Sequence, residues 1–154
     1  MRVEESAISA CLNKKDLFLF HSCSELEPET NALRLESVFS MTLYERVSEN
    51  IGVILGNKIF QNSRKISENS FIFNICTERI DDYFVGAFQV RYGYKKKLFE
   101  HLAWQSTQIL RFNVENKDIT VHLEYPALQR YPDVDDMLGK LPKNVIVHVP
   151  SREK

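Results

Sequence analysis

The chain is 154 residues long, enough for one domain with a substantial core and short for two. Hydrophobic residues make up 44% and charged residues 27%, which argues against a disordered or fibrous chain. With 20 basic and 21 acidic residues the net charge is −1, so no overall field draws nucleic acid or anionic lipid. No apolar run approaches the ~18 residues that cross a bilayer. Residues 1–15 carry two glutamates ahead of a brief apolar stretch, the wrong order for a secretion signal. Cys11, Cys23 and Cys76 are odd in number and form no CxxC pair, which predicts neither a disulfide framework nor a zinc ribbon. The expectation is a soluble, cytoplasmic protein with no cofactor, no metal and no membrane association.

In chain order, residues 6–12 predict a short first strand, ended by the polar turn Asn13-Lys14-Lys15-Asp16. Residues 17–23 follow as a strand whose unbroken run Leu17-Phe18-Leu19-Phe20 predicts burial on both faces. Residues 26–31 are a loop, and Thr30 or Asn31 could cap an amphipathic helix over residues 32–50 with Leu35, Val38, Phe39, Thr42 and Val47 on one face. Gly52 and Gly56 bracket a short apolar piece, residues 58–60 read as an edge strand, and residues 62–69 as a hairpin turn or loop. A second buried strand is expected over residues 70–77, a polar loop over 78–82, and irregular chain or a short strand over 83–90.

Residues 94–112 give the clearest helical stripe, through Leu98, Phe99, Leu102, Ala103, Ser106, Ile109 and Leu110. A strand over 119–124, a short helix over about 133–139 and a last strand over 144–149 complete the chain. Strand, helix, strand, helix, strand is the order of a sheet with crossover helices, so the fold class is α/β.

The strand at residues 17–23 opens into His21, Ser22, Cys23, Ser24 and Glu25, and the carboxyl end of a buried strand is where open α/β sheets hold ligands. A Cys23–His21 pair could activate a thiolate, but residues two apart on a strand seldom achieve that geometry, and a packing cysteine is the simpler reading. Ser24 and Glu25, just past the strand, are better placed for a ligand contact. Lys95, Lys96 and Lys97 fall at an expected helix start, where a phosphate would use both free N–H groups and ammonium charges. The alternative is three solvated lysines. Trp104 lies off the helical stripe and covers a loop or offers an exposed contact. Asp133, Asp135 and Asp136 suit a helix N-terminus and lack the glycine and glutamate of a calcium loop. His122, Glu124 and His148 fall on two strands without a paired ligand motif, which predicts no metal site.

Four strings in order resemble a macro domain, in particular the compact type of terminal ADP-ribose protein glycohydrolase. FHSCSE (residues 20–25) is similar to that family's early strand exit, and FIFNICTER (residues 71–79) to its central strand ending in threonine. Residues 94–110 correspond to its long helix, and KDITVHLEYP with the later NVIVHVP resembles its closing unit. The resemblance implies a single three-layer macro-like domain over 1–154, core about 6–150, with a mixed sheet flanked by helices. Macro domains hold a diphosphate on two glycine-rich loops. Here residues 26–31 and 125–132 contain no glycine, and the first carries Glu27 and Glu29. The family's lysine nucleophile after the central-strand threonine is replaced by Glu78, and its catalytic aspartate has no match. Ser24 and Thr77 alone map onto matching pocket positions.

The expected function is therefore a degenerate, non-catalytic binding or interaction module. Its partner would be a host protein or an ADP-ribose-related nucleotide held by Ser24, Thr77, Tyr125, Arg130 and Lys95, and the composition is compatible with a phage accessory protein. One alternative is an active ADP-ribosyl hydrolase or ADP-ribose phosphate phosphatase using Ser24, Glu25, His21 and Glu78. The other is a single-strand nucleic-acid binder built on Tyr92, Tyr94, the three lysines and Trp104, against which the net charge counts.

Overall fold

The structure is a computed structural model that describes residues 2–4 and 8–149. The strands are β1 (Arg2–Glu4), β2 (Leu17–Cys23), β3 (Arg64–Ser67), β4 (Ser70–Ile72), β5 (Ile75–Ile80), β6 (Tyr83–Arg91), β7 (Val121–Glu124) and β8 (Val145–His148). The helices are α1 (Val38–Arg46), α2 (Ile51–Asn62), α3 (Glu100–Val114) and α4 (Pro132–Leu138). Six strands form one sheet in the order β1-β8-β7-β2-β6-β5, parallel except for the antiparallel edge pair β5/β6. β3 and β4 make a separate hairpin.

Strand alternation sorts the side chains into two cores. Leu17, Leu19, Phe88, Val90, Val121, Leu123, Val145 and Val147 face α3 and α4. Phe18, Phe20, Val85 and Ala87 face α1 and α2, where they meet Phe39, Leu43, Ile51, Leu55 and Ile59. β2 is thus apolar on both faces because helices cover both, and the sheet between two helical layers is the expected α/β sandwich.

Several boundaries differ from expectation. The first strand is not residues 6–12: Ile8–Ala10 is a 3-10 turn, residues 5–7 lie outside the described residues, and β1 precedes them. The helix expected over 32–50 is only α1, because Ser37 caps it by accepting from the Ser40 N–H and the chain before it is extended. Leu33 there donates its N–H to the Gly52 carbonyl at 2.8 Å. The stretch read as two glycines bracketing an edge strand is α2. Its glycines mark a close approach: a Cβ on Gly56 would stand 2.0 Å from the Asn31 carbonyl oxygen, and one on Gly52 2.8 Å from that of Leu33.

The single strand expected over 70–77 is broken. Asn74 has a φ of 58°, and the Gln89 side-chain oxygen accepts the Phe73 and Asn74 N–H groups at 3.0 and 2.8 Å, so a side chain replaces the ladder. Its second half, β5, continues through the expected loop to Ile80 and lies at the sheet edge instead of the centre. On the other side of β2 from β7 lies β6, a nine-residue strand where residues 83–90 predict irregular chain or a short strand. Finally, α3 starts at Glu100, so the three lysines precede the helix, and its first residue is an acid, as the dipole favours.

Candidate functional site

The carboxyl ends of β2, β6 and β7 lie side by side, and a cavity of about 520 Å³ opens there. Its wall carries His21 from β2, Arg91 from β6, Lys96, Lys97 and Leu98 from the chain before α3, and Tyr131, Asp133 and Met137 around α4. Its volume falls in the range of small-molecule sites. Pro126, Ala127 and Leu128 make an apolar rim, and Leu128 at 91% exposure stands at the mouth.

Behind the wall is a buried polar relay. Glu124, at the end of β7, accepts the His21 N–H at 3.2 Å and the Phe39 N–H at 3.0 Å. The His21 Nε2 lies 3.7 Å from the same carboxylate. Arg91 donates to His21 Nδ1 at 2.7 Å and to Glu36 at 2.5 Å, and the Glu36 and Arg91 side chains are only 5% and 7% exposed. Burial, then the Arg91 charge, lowers the His21 pKa to about 3. Arg91 can donate only to a lone pair, so Nδ1 is unprotonated and the neutral ring carries its hydrogen on Nε2. Burial raises Glu124 to about 7, although Ser37, Phe39 and His21 donate to it.

This relay occupies the start of α1. The first turn of a helix has N–H groups without intrahelical partners, and such a turn attracts phosphate. Here Phe39 donates to Glu124, while Ser37 and Ser40 satisfy one another in a capping box. The loop after β2 is likewise committed to packing. Leu26 and Leu33 are 1% and 2% exposed, they pair with each other, and the Leu26 N–H bonds Asn69 at 2.8 Å.

The sequence-derived candidates separate. His21 lines the cavity. Ser24 is buried and its hydroxyl bonds the Tyr92 carbonyl. Glu25 lies 3.7 Å from Arg34 and close to Gly93. Cys23 follows a register shift at Ser22/Cys23, and burial raises its thiol to about 11, which disfavours the thiolate that a Cys23–His21 pair would need. Thr77 and Glu78 sit on the edge strand β5, where Lys58 binds the Thr77 carbonyl at 2.6 Å and the Glu78 carboxylate at 2.9 Å. Neither lines the cavity.

Tyr125 is buried and accepts the Tyr131 N–H at 2.9 Å while donating to Asp135 at 2.7 Å, so it shapes the loop after β7. Arg130 is paired with Asp135 at 2.8 Å. Lys95 has a φ of 59°, gives its backbone N–H to Glu36 at 3.2 Å and faces a shallow groove beside α1. Of the lysine triplet, Lys96 and Lys97 reach the cavity.

Arg91, Glu36 and the His21–Glu124 contact escaped the sequence reading. The usable signal was a charge closing each of two apolar strands, Val90-Arg91 and Leu123-Glu124. His122 and His148, expected to form no metal site, meet Cys11, which that reading did not connect with them: the three bring their ligand atoms within 4.8 Å of one another.

No protein-family model matches the sequence, and no curated protein is similar to it in sequence. Solved structures are similar in fold. The macrodomain of Thermus aquaticus DarG superposes with a TM-score of 0.62 at 10% identity, covering 97% of each chain. A macrodomain protein from Streptomyces coelicolor gives 0.60 at 13% identity, covering 97% of this chain and 99% of its own. Thermosipho africanus DarTG in complex with ADP-ribose gives 0.56 at 11% identity, over 92% of this chain and 40% of that one. The strand order, the two helical layers and these superpositions identify the fold of this chain as that of a macrodomain.

Proposed function

We propose that the protein is a non-catalytic binding module for an ADP-ribose-related nucleotide, held in the cavity at the carboxyl ends of β2, β6 and β7. The observation that carries the reading is the wall of that cavity, in which Lys96 and Lys97 stand beside Tyr131 and an apolar rim. Two ammonium groups suit a diphosphate, and a tyrosine with apolar neighbours suits a base or sugar face. The fold's likeness to a protein solved with ADP-ribose supports the ligand class.

Three features support binding without turnover. His21, the one imidazole on the wall, has a pKa lowered to about 3, so it takes up no proton near neutrality. Glu124 is 4% exposed and spends its oxygens on backbone N–H groups. Cys23 is a buried thiol raised to about 11.

Calorimetry with ADP-ribose tests the reading. A Kd of about 10–100 μM is expected, or about −7 to −5.5 kcal/mol. The Lys96→Ala/Lys97→Ala variant should bind at least tenfold more weakly, and raising the salt should weaken the wild type because the two cations are exposed. No binding at millimolar ADP-ribose, or release of ADP-ribose from a modified protein at a rate that tracks enzyme concentration, overturns it.

A further inference from the structure

We propose that Cys11, His122 and His148 form a site for a zinc-class divalent cation. None of the three lines the nucleotide cavity, so the inference does not rest on the reading above. β7 and β8 are register neighbours, and His122 pairs with Ile146 and Glu124 with His148, which sets the two imidazoles two residues apart on one face of the sheet. Both are buried, at 5% and 3% exposure. His122 stacks on Phe18 with ring centroids 4.6 Å apart, and His148 tilts against Phe39 at 5.6 Å, so each ring is fixed in a dry, aromatic setting.

The donor atoms converge. His122 Nδ1 lies 2.8 Å from His148 Nε2. The Cys11 sulfur and one ring nitrogen of each histidine lie within 4.8 Å of one another. A tetrahedral zinc with its usual bond lengths needs about 3.3 Å between two nitrogens and about 3.6 Å between nitrogen and sulfur. Opening the nitrogen pair by about half an ångström meets the first distance, and drawing the sulfur in from within 4.8 Å meets the second.

The groups behind the donors are those a metal ligand needs. Asp16 sits 2.8 Å from His122 Nε2. In the neutral ring this places the hydrogen on Nε2 and leaves the Nδ1 lone pair facing His148, the carboxylate–histidine arrangement that orients metal-bound imidazoles. Asn13 fixes both sides of the site. Its amide nitrogen donates to the Asp16 carboxylate at 2.9 Å and to the Cys11 carbonyl at 3.0 Å, while its oxygen accepts the Lys15 and Asp16 N–H groups. One side chain therefore couples the thiol-bearing turn to the carboxylate behind His122.

Without metal, His148 Nε2–H donates to His122 Nδ1. With metal, that hydrogen moves to His148 Nδ1, the Cys11 thiol gives its proton to solvent, and thiolate and two neutral imidazoles bind the cation. One sulfur and two imidazoles are the donor set of a zinc-class ion rather than of calcium or magnesium. Cys11 is half-buried, which gives the ion a way in.

The full-length protein, stripped with a chelator and titrated with Co²⁺, tests the site. One Co²⁺ per chain is expected, with a thiolate-to-cobalt charge-transfer band and tetrahedral d–d bands that equimolar Zn²⁺ abolishes. Zn²⁺ should slow iodoacetamide modification of Cys11 at least tenfold, read on the Cys11 peptide by mass spectrometry. Asp16→Asn should weaken Co²⁺ by about 10–100-fold. Cys11→Ser should lose the thiolate band, while Cys23→Ser and Cys76→Ser should keep it. If Cys11→Ser fails to fold, the modification rate of the native chain decides the question. A wild-type spectrum without a thiolate band, or a Cys11 rate that Zn²⁺ leaves unchanged, overturns the proposal.

Discussion

The His21–Glu124 contact makes a quantitative prediction, because the two groups are shifted in ways that oppose one another. Glu124 is raised from 4.5 to about 7, so the folded protein holds a proton that the unfolded chain has released. Its contribution to stability is full below pH 4.5 and is lost as pH rises to about 7. His21 is lowered from 6.5 to about 3, so there the unfolded chain binds the extra proton. Its contribution is full above pH 6.5 and is lost as pH falls toward about 3. Each slope is about 1.4 kcal/mol per pH unit, and between pH 4.5 and 6.5 they cancel.

Glu124→Gln removes one slope and exposes the other. At pH 4.5 the variant should be less stable than wild type by about 1–3 kcal/mol, because its amide nitrogen faces one of two backbone donors. The Glu124 contribution of wild type then falls by about 3 kcal/mol between pH 4.5 and 7, a loss the variant lacks. The gap should close, and above pH 7 the variant should equal or exceed wild type. Urea unfolding of both proteins across that range reads the difference directly, since carboxylates common to both cancel. A stability difference that stays constant with pH would refute the assigned shift of Glu124.

Two further changes probe the frame around the site. Gly56→Ala places a methyl 2.0 Å from the Asn31 carbonyl oxygen, so α2 must move off the loop after β2. Overpacking of about 1–3 kcal/mol outweighs the helix propensity gained, about 1 kcal/mol, and the thermal midpoint should fall. Arg91→Met leaves Glu36 buried without its partner and should cost about 3–5 kcal/mol in urea unfolding. Glu36→Leu combined with Arg91→Met should recover most of that loss, and a double variant as unstable as the sum of the singles would contradict the pairing.

The parts of the fold legible in the sequence were those where one residue pattern has one cause. The apolar run at Leu17 to Phe20 is a strand covered twice, and the stripe through Leu102, Ala103, Ser106 and Leu110 is α3. Where two causes produce the same pattern, the reading went astray. Gly52 and Gly56 look like helix ends, yet they are spacers that let a helix touch backbone, a cause lying 20 residues or so away in the chain. Gln89 looks like a polar residue in a weak strand, yet its amide rescues the broken ladder at Phe73 and Asn74. For the site, the local string at the β2 exit pointed to His21, which does line the cavity, while Arg91 and Glu124, polar groups closing β6 and β7, join it on or behind the wall. These are neighbours only because β2 lies between β6 and β7. Cys11, His122 and His148 meet for the same kind of reason, across three separate segments.

The same comparison bears on what the cavity can do. Backbone N–H groups at a helix start are fixed dipoles that hold a phosphate in one orientation, and hydrolysis at a neighbouring sugar depends on that orientation. In this chain the start of α1 is occupied by Glu124, and the loop after β2 is packed against the hairpin and α2. Lys96 and Lys97 bring positive charge to the cavity as exposed side chains on flexible stems. Such cations attract an anion from many directions and are screened by salt, but they do not hold a reacting bond against a positioned water. His21 adds a fixed neutral donor in place of a base, because Arg91 occupies its lone pair. On the proposed reading, such a pocket recognises a nucleotide through these side chains and lacks the fixed dipoles that would orient a reacting bond.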